Sequence, residues 1–265
     1  MIRKLNTKDY EILMNLVKDE PEFNLYIIGD IESFGFEEDF LEFFGEINIY
    51  GELESVLVRY FNVFMVYSKG DYDVQGYVEL INNKDFSMLV GKTEVILKFE
   101  ETSLQLAQPE QHHFAVLKDI NVDFVIDKNL EVKTATLDDI AKIASLKNTM
   151  EEFNSGNEKF EEILINNIKS GTTHGYFIEC DDKIVSYAQT SAENSISAMV
   201  VSVMTDKDYR GKGFASACIK MLCDDMIAQG KTLCLFYRNP KAGAIYRRLG
   251  FKDIGFWSMY PNKVI

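Results

Sequence analysis

A strand, a glycine-spaced turn and the start of a helix follow one another in Val201-Ser202-Val203-Met204-Thr205-Asp206-Lys207-Asp208-Tyr209-Arg210-Gly211-Lys212-Gly213-Phe214-Ala215. The apolar, β-branched residues before the turn predict a strand over residues 196–205, and the apolar spacing after it predicts a helix over residues 212–229. Small residues let a backbone approach a ligand, and the first N–H groups of a helix have no acceptor inside that helix. This stretch therefore predicts a pocket of N–H groups that suits a pyrophosphate.

Two other phosphate-binding loops do not match this stretch. A P-loop requires a glycine five positions before its Gly-Lys pair, where this sequence has Asp206. A dinucleotide-binding fingerprint requires a third glycine, where Ser216 stands. The alternative that stays open is an ordinary strand–turn–helix whose glycines serve only the turn.

A second motif follows downstream, Asn239-Pro240-Lys241-Ala242-Gly243-Ala244-Ile245-Tyr246-Arg247-Arg248-Leu249-Gly250-Phe251. Together, this motif and the stretch 201–215 resemble the GNAT acetyltransferase superfamily. The acetyl-CoA loop of that family has the pattern Arg or Gln, two residues, Gly, one residue, then Gly or Ala. Arg210, Gly213 and Ala215 fit that pattern. The resemblance covers residues 131–260 and implies an N-acetyltransferase that uses acetyl-CoA as co-substrate. The acetyl group is expected to move directly to the amine of a small molecule or a peptide.

The resemblance also implies a role for each matching residue. The strand before the loop is expected to part from its neighbour, so that the backbone of Val203, Met204 and Thr205 binds the pantetheine arm. The phosphates are expected at Arg210, Gly211, Lys212, Gly213, Phe214 and Ala215. Asn239 is expected to hydrogen-bond the cofactor arm. Tyr246 is expected to protonate the leaving thiolate, which a phenol with a pKa of about 10 can do; the alternative for Tyr246 is a core aromatic.

The general base is the least defined part of the expected site. Many relatives in this family carry a Glu on the strand before the loop, but residues 196–205 contain no Asp, Glu or His. Glu193, at the entrance to this strand, is the candidate base, with Asn194 beside it as a substrate contact. Glu179 and an acidic side chain of the first half are alternative bases. A solvated turn residue at Glu193 and deprotonation of the amine through water also stay open.

Charge is distributed unevenly along the chain. Residues 1–130 contain 11 Lys and Arg against 25 Asp and Glu, whereas residues 131–265 contain 17 of each. The acidic first half argues against binding of nucleic acid or an anionic membrane. This negative charge either forms an ordinary solvated surface or produces an electrostatic field that attracts a cationic acceptor.

The sequence also bears on where the protein is located and on whether it binds a metal ion. The start of the chain is polar and no apolar run approaches the ~20 residues of a membrane span. The four cysteines form no C-x-x-C pair, and we expect free thiols in a reducing cytoplasm. The pair His112-His113 has no carboxylate or cysteine at ligand spacing beside it, so we expect no metal. We expect a monomer or a homodimer.

The length of 265 residues suits two domains. Residues 129–265 predict an α/β domain with a mixed sheet flanked by helices, in the order β-α-α-β-β-β-α-β-α-β. Residues 1–128 predict an acidic α/β domain of loosely similar order, either a degenerate GNAT-like copy or an unrelated dimerisation or regulatory module. Two other functions stay open: a non-catalytic acyl-CoA sensor, and a transferase that uses charged tRNA, which the acidic half disfavours.

Overall fold

The computed structural model describes residues 1–121, 123–150 and 159–263. Their strands are β1 (Ile2–Lys4), β2 (Leu41–Ile47), β3 (Leu53–Tyr60), β4 (Val63–Ser68), β5 (Met88–Lys92), β6 (Glu110–Leu117), β7 (Lys133–Thr134), β8 (Gly175–Cys180), β9 (Lys183–Ser191), β10 (Ser197–Thr205), β11 (Thr232–Tyr237) and β12 (Lys252–Pro261). Their α-helices are α1 (Tyr10–Val17), α2 (Leu25–Phe34), α3 (Val74–Asn82), α4 (Thr93–Ile96), α5 (Ile140–Asn148), α6 (Phe160–Ser170), α7 (Phe214–Ala228) and α8 (Pro240–Leu249). The predicted α/β fold with mixed sheets and flanking helices is confirmed.

The two halves of the chain repeat one order of elements. Each described half runs strand, 3-10 turn, two helices, three strands, helix, strand, helix, strand. The pairing repeats as well, because β1 to β4 and β7 to β10 are antiparallel neighbours, whereas β4/β5 and β10/β11 are parallel. Even a capping contact recurs: Asp9 accepts the N–H of Asn6, and Asp139 accepts the N–H of Thr136, both at 2.9 Å.

The chain forms two compact units that are discontinuous in sequence. Unit 1 contains Met1–Phe114, Phe236–Arg238 and the residues from Asp253 onward, and unit 2 contains Ala115–Leu235 and Asn239–Lys252. The sequence-based division into 1–128 and 129–265 assumes continuous segments and so differs from these units. The difference arises because strand pairing, which is not local in sequence, assigns the last strand to unit 1.

Unit 1 has the strand order β1-β2-β3-β4-β5-β12, followed by the parts of β6 and β11 that belong to this unit. β12 lies antiparallel to β5, with Tyr260 opposite Leu89. The side chain of Tyr260 completes a core that includes Phe64, Tyr77 and Phe99. Burial of such large apolar groups is the main stabilising term of the unit.

Unit 2 has the order β11-β10-β9-β8-β7. One core cluster joins α5 and α6 to the sheet through Ile143, Leu164, Phe177 and Met204. Helix α7 contributes Ala217, Cys218, Leu222 and Met226, all fully buried. These contacts fix the position of α7, and so of the loop that precedes it.

The predicted helix over 212–229 and strand over 196–205 are confirmed with shifted ends. α7 begins at Phe214 because Gly213 has a φ of +82°, a left-handed conformation that cannot continue a right-handed helix. Among the described residues, no helix is both long and apolar enough to cross a membrane.

Candidate functional site

The loop between β10 and α7 requires its two glycines. Gly211 and Gly213 have φ values of +77° and +82°, which L side chains rarely adopt. A Cβ added at either position would meet no heavy atom within 4 Å. The glycines therefore serve the backbone conformation and leave open space beside it.

The N-terminus of α7 presents N–H groups to that space. Gly213 is the N-cap and has no side chain to cap the helix, and the first bond of the helix runs from the Ala217 N–H to the Gly213 carbonyl at 2.9 Å. The N–H groups before Ala217 have no acceptor within the helix. The partial positive charge of a 15-residue helix adds to them. This is an arrangement that binds phosphate.

Three cations surround the loop. Lys207, Arg210 and Lys212 are exposed. The Nε of Arg210 donates to the Thr205 carbonyl at 3.1 Å, and the Nζ of Lys212 lies 4.5 Å from the centre of the Tyr209 ring. These contacts keep two of the positive charges close to the N–H groups of α7.

Strands β10 and β11 part next to the loop. Their parallel pairing covers only Ser197–Met199 and Thr232–Cys234, although β10 continues to Thr205. A bulge interrupts β10 between Val201 and Met204, and Ser202 has a φ of +52°. The parting that the family resemblance implied is thus present. Nothing in the sequence revealed the bulge.

The three expected pantetheine contacts differ in exposure. Val203 and Thr205 are half-buried, whereas Met204 is 1% exposed and packs in the core. The Met204 carbonyl accepts a hydrogen bond from Ser186 Oγ at 3.1 Å. Any contact of Met204 with a ligand therefore involves its backbone and not its side chain.

Helix α8 carries the second motif. Asn239 is its N-cap, accepting the Lys241 N–H at 2.9 Å, and Pro240 occupies the first helical position. The cap uses one of the two lone pairs of the amide oxygen, and the NH₂ group of Asn239 is the donor that it offers to a ligand. Tyr246 is 7% exposed, and its ring lies 5.9 Å from that of Phe251. Burial raises the pKa of Tyr246 to about 12, so the hydroxyl keeps its proton at neutral pH.

Glu193 lies in a closed polar network. Its side chain is 4% exposed, and it accepts hydrogen bonds from Thr190 Oγ1 and from Lys231 Nζ at 2.8 Å, and contacts His174 Nδ1 at 2.7 Å. Burial raises the pKa of Glu193, but the hydrogen bonds from Lys231, Thr190 and His174 outweigh burial and hold it below its usual range. A carboxylate stabilised in this way is a weak base.

The structure does not bring Glu193 to the loop. Glu193 precedes β10 and the loop follows it, and a nine-residue strand is roughly 25 Å long. Sequence reasoning missed the partners His174 and Lys231, because neither is near Glu193 in sequence. Among the described residues, no group of three or more His, Cys, Asp or Glu side chains is arranged to hold a metal ion.

Comparisons with known proteins agree with this geometry. A sequence model of the family described as GNAT acetyltransferase matches residues 38–260. A solved Drosophila protein aligns with a TM-score of 0.70 at 12% identity and covers 98% of both chains. A GCN5-related N-acetyltransferase from Sphaerobacter thermophilus aligns at 0.63 with 13% identity, covering 98% of this chain and 94% of that one. A tandem GNAT protein from the clavulanic acid biosynthesis pathway aligns at 0.60 with 12% identity, covering 98% and 97%.

At these identities the structural matches show the fold alone. No curated protein matches the chain.

Proposed function

Because the chain belongs to the GNAT acetyltransferase family, we propose that it is an N-acetyltransferase that moves the acetyl group of acetyl-CoA directly to an amine in a ternary complex. The observation that carries the proposal is the parting of β10 from β11 after Met199, directly before the glycine loop. An open strand edge and an N–H pocket at its end suit a ligand with an amide-bearing arm and a pyrophosphate.

The residues of unit 2 fit acetyl-CoA. The N–H groups at the start of α7, with Lys207, Arg210 and Lys212, would hold the phosphates. The open edge of β10 and the NH₂ group of Asn239 would hold the arm. Bound acetyl-CoA supplies an activated acetyl group.

Tyr246 would hold the proton for the leaving sulfur. Its buried hydroxyl stays protonated through the neutral range and can donate to a developing thiolate. A thiolate desolvated beside it becomes more basic for the same reason, which favours the transfer. No carboxylate of β10 is available as a base, so the amine would lose its proton through water.

Unit 1 would act as a degenerate copy that binds no acetyl-CoA. At the start of α3, the helix that corresponds to α7, Asp73 accepts the Gly76 N–H at 2.9 Å. A carboxylate thus occupies the position where unit 2 offers a glycine and free space. The negative charge of residues 1–130 would favour a cationic amine as the acceptor.

Cofactor binding is tested by titration calorimetry with acetyl-CoA. We expect micromolar affinity for the wild type and a loss of more than about tenfold in Gly213→Asp, because a carboxylate enters the N–H pocket. The matched control is Gly230→Asp at the other end of α7, where φ is +76° and space is equally open. Absence of binding by the folded wild type, or equal loss in both variants, would contradict the proposal.

Turnover is tested by release of the CoA thiol with a panel of amines. Tyr246→Phe should lower kcat by about 100-fold or more at unchanged acetyl-CoA affinity, as expected for loss of a general acid. The control is Tyr187→Phe, which removes a buried hydroxyl bonded to Gln189 Oε1 at 2.6 Å in the same unit. If affinity and kcat fall together in Tyr246→Phe, the residue serves packing.

A second candidate is an acyl-CoA sensor without turnover. The observation that favours it is the absence of acidic residues from β10, together with the closed network around Glu193. Binding of acetyl-CoA without thiol release for any amine of the panel would select this function.

A further inference from the structure

Four neighbouring aromatic rings of unit 1 are here named the aromatic patch: Phe34 and Phe61, which are exposed, and Phe40 and Tyr60, which are half-buried. Phe40 lies at the centre, 5.3 Å from Phe34, 5.7 Å from Tyr60 and 4.9 Å from Phe61, measured between ring centres. Phe34 is 40% exposed and Phe61 is 56% exposed. A contiguous exposed group of large aromatic rings marks an interaction surface more often than single exposed residues do.

The backbone of Phe61 adopts a strained conformation. Its φ of +52° places a bulky L residue in the left-handed region, at the turn between β3 and β4. Glycine or asparagine would adopt this conformation with less strain. Residues other than glycine that are held in this strained conformation cluster at sites of function.

Arg59 holds the patch in place. Its guanidinium donates to the Phe61 carbonyl at 2.7 Å and to the Asp39 carbonyl at 2.6 Å, and it bonds Glu42 through Nε. The Phe61 N–H donates to the Phe40 carbonyl at 2.7 Å. The rings are therefore positioned before any partner binds, which lowers the entropy cost of association.

Three exposed carboxylates, those of Glu37, Glu38 and Asp39, directly precede the central ring Phe40. The Arg59 charge is paired with Glu42, a carboxylate that Lys4 and Lys84 also bind. Asp30, on α2, acts electrostatically on Tyr60, and burial raises the pKa of Asp30 to about 7. A bound cation would favour the ionised form of Asp30.

Exposed aromatic faces within an acidic rim complement a guanidinium, which stacks on rings and pairs with carboxylates. A second copy of this chain would bring two acidic rims together and be repelled. We propose that the aromatic patch is a docking surface for an arginine-bearing peptide segment of a partner protein. This inference is independent of the proposed acetyltransferase function.

The test uses the full chain and fluorescein-labelled peptides of alternating Gly and Arg, with Gly-Lys peptides of equal length and charge. We expect the arginine peptide to bind more tightly than the lysine peptide. Phe61→Asn should weaken arginine-peptide binding by about tenfold, the size of a desolvated cation–π contact, and leave the lysine peptide less affected.

The matched control is Tyr50→Asn, which removes an 81% exposed ring from the β2–β3 turn of the same unit at unchanged charge. We expect Tyr50→Asn to bind like the wild type. Phe61→Asn should also raise the melting temperature, because it relieves the left-handed strain, so that its loss of binding is not loss of folding. The proposal would be overturned if the wild type bound both peptides equally, or if Phe61→Asn and Tyr50→Asn bound the arginine peptide with equal affinity. It would also be overturned if the wild type were a dimer that Phe61→Asn dissociates.

Discussion

At the scale of single residues, Glu193 shows that the type and sequence position of a residue do not define its role when its contact partners are unknown. The sequence singles it out because it is an acidic residue at the entrance to a strand that contains none. The structure surrounds it with Thr190, His174 and Lys231. His174 and Lys231 come from distant parts of the chain, and a sequence pattern holds no information about such contacts. The role of Glu193 as a base stays a prediction, and the network gives it a competing structural role.

The structural role predicts a defined dependence of stability on pH. The pKa of Glu193 in the folded protein lies below its ordinary value of 4.5. Its stabilising contribution is therefore complete above that value and is lost as the pH falls toward the folded-state pKa. Glu193→Gln should lower the free energy of unfolding by about 2 kcal/mol at pH 7, because it weakens the bonds to Lys231 and His174. This difference from wild type should shrink between pH 5 and pH 3, measured by urea unfolding.

Two controls separate the structural role from a catalytic one. Glu131→Gln removes an exposed carboxylate of the same unit and should leave unfolding nearly unchanged. Acetyl-CoA-dependent thiol release should survive in Glu193→Gln under conditions where the variant is folded. A large fall in kcat with unchanged stability would instead identify Glu193 as the base.

At the scale of elements, helix ends are predicted from sequence better than strand pairing. Gly230 and Gly250 mark the C-terminal ends of α7 and α8 because their left-handed conformations are a local property of the backbone. The parting of β10 from β11 depends on residues more than thirty positions apart, and only the family resemblance implied it. The bulge at Ser202 had no signal beyond one small polar residue within an apolar strand.

The end of α8 yields a prediction that depends on close backbone approach. Gly250 has a φ of +116°, and a Cβ there would lie 3.0 Å from the Asn121 nitrogen and the Asp119 carbonyl oxygen. Gly171, which follows α6 with a φ of +70°, has open space at the same point. Gly171→Ala should cost about 1 kcal/mol from backbone strain alone, whereas Gly250→Ala adds a steric clash and should cost about 3 kcal/mol. Urea unfolding measures both, and equal costs would contradict the steric contribution.

At the scale of the whole molecule, the repeat of elements is visible in the structure but only faintly in the sequence. The two halves share element order and pairing, yet the glycine loop and the tyrosine motif occur only in the second half. A predicted boundary near residue 128 follows local composition, and local composition cannot reveal that β12 pairs with β5. The sequence therefore predicts two α/β halves correctly and leaves open which segments complete each unit.

The pairing of β12 predicts that residues 1–128 alone are an incomplete unit. Without β12 the edge of β5 loses its partner, Tyr260 leaves the core, and Thr93 Oγ1 loses its 2.7 Å contact with Ser258 Oγ. We expect fragment 1–128 to unfold without a cooperative transition, because strand burial and core packing are both lost.

A synthetic peptide of residues 252–263 should restore cooperative unfolding when added. Trp257, the only tryptophan of the chain and 2% exposed in unit 1, reports the docking by a blue shift of its emission. The matched control is the same peptide with Tyr260→Ala, which keeps Trp257 but leaves a cavity in the core and should bind more weakly. Cooperative unfolding of the fragment alone, unchanged by either peptide, would show that unit 1 is complete without its last strand.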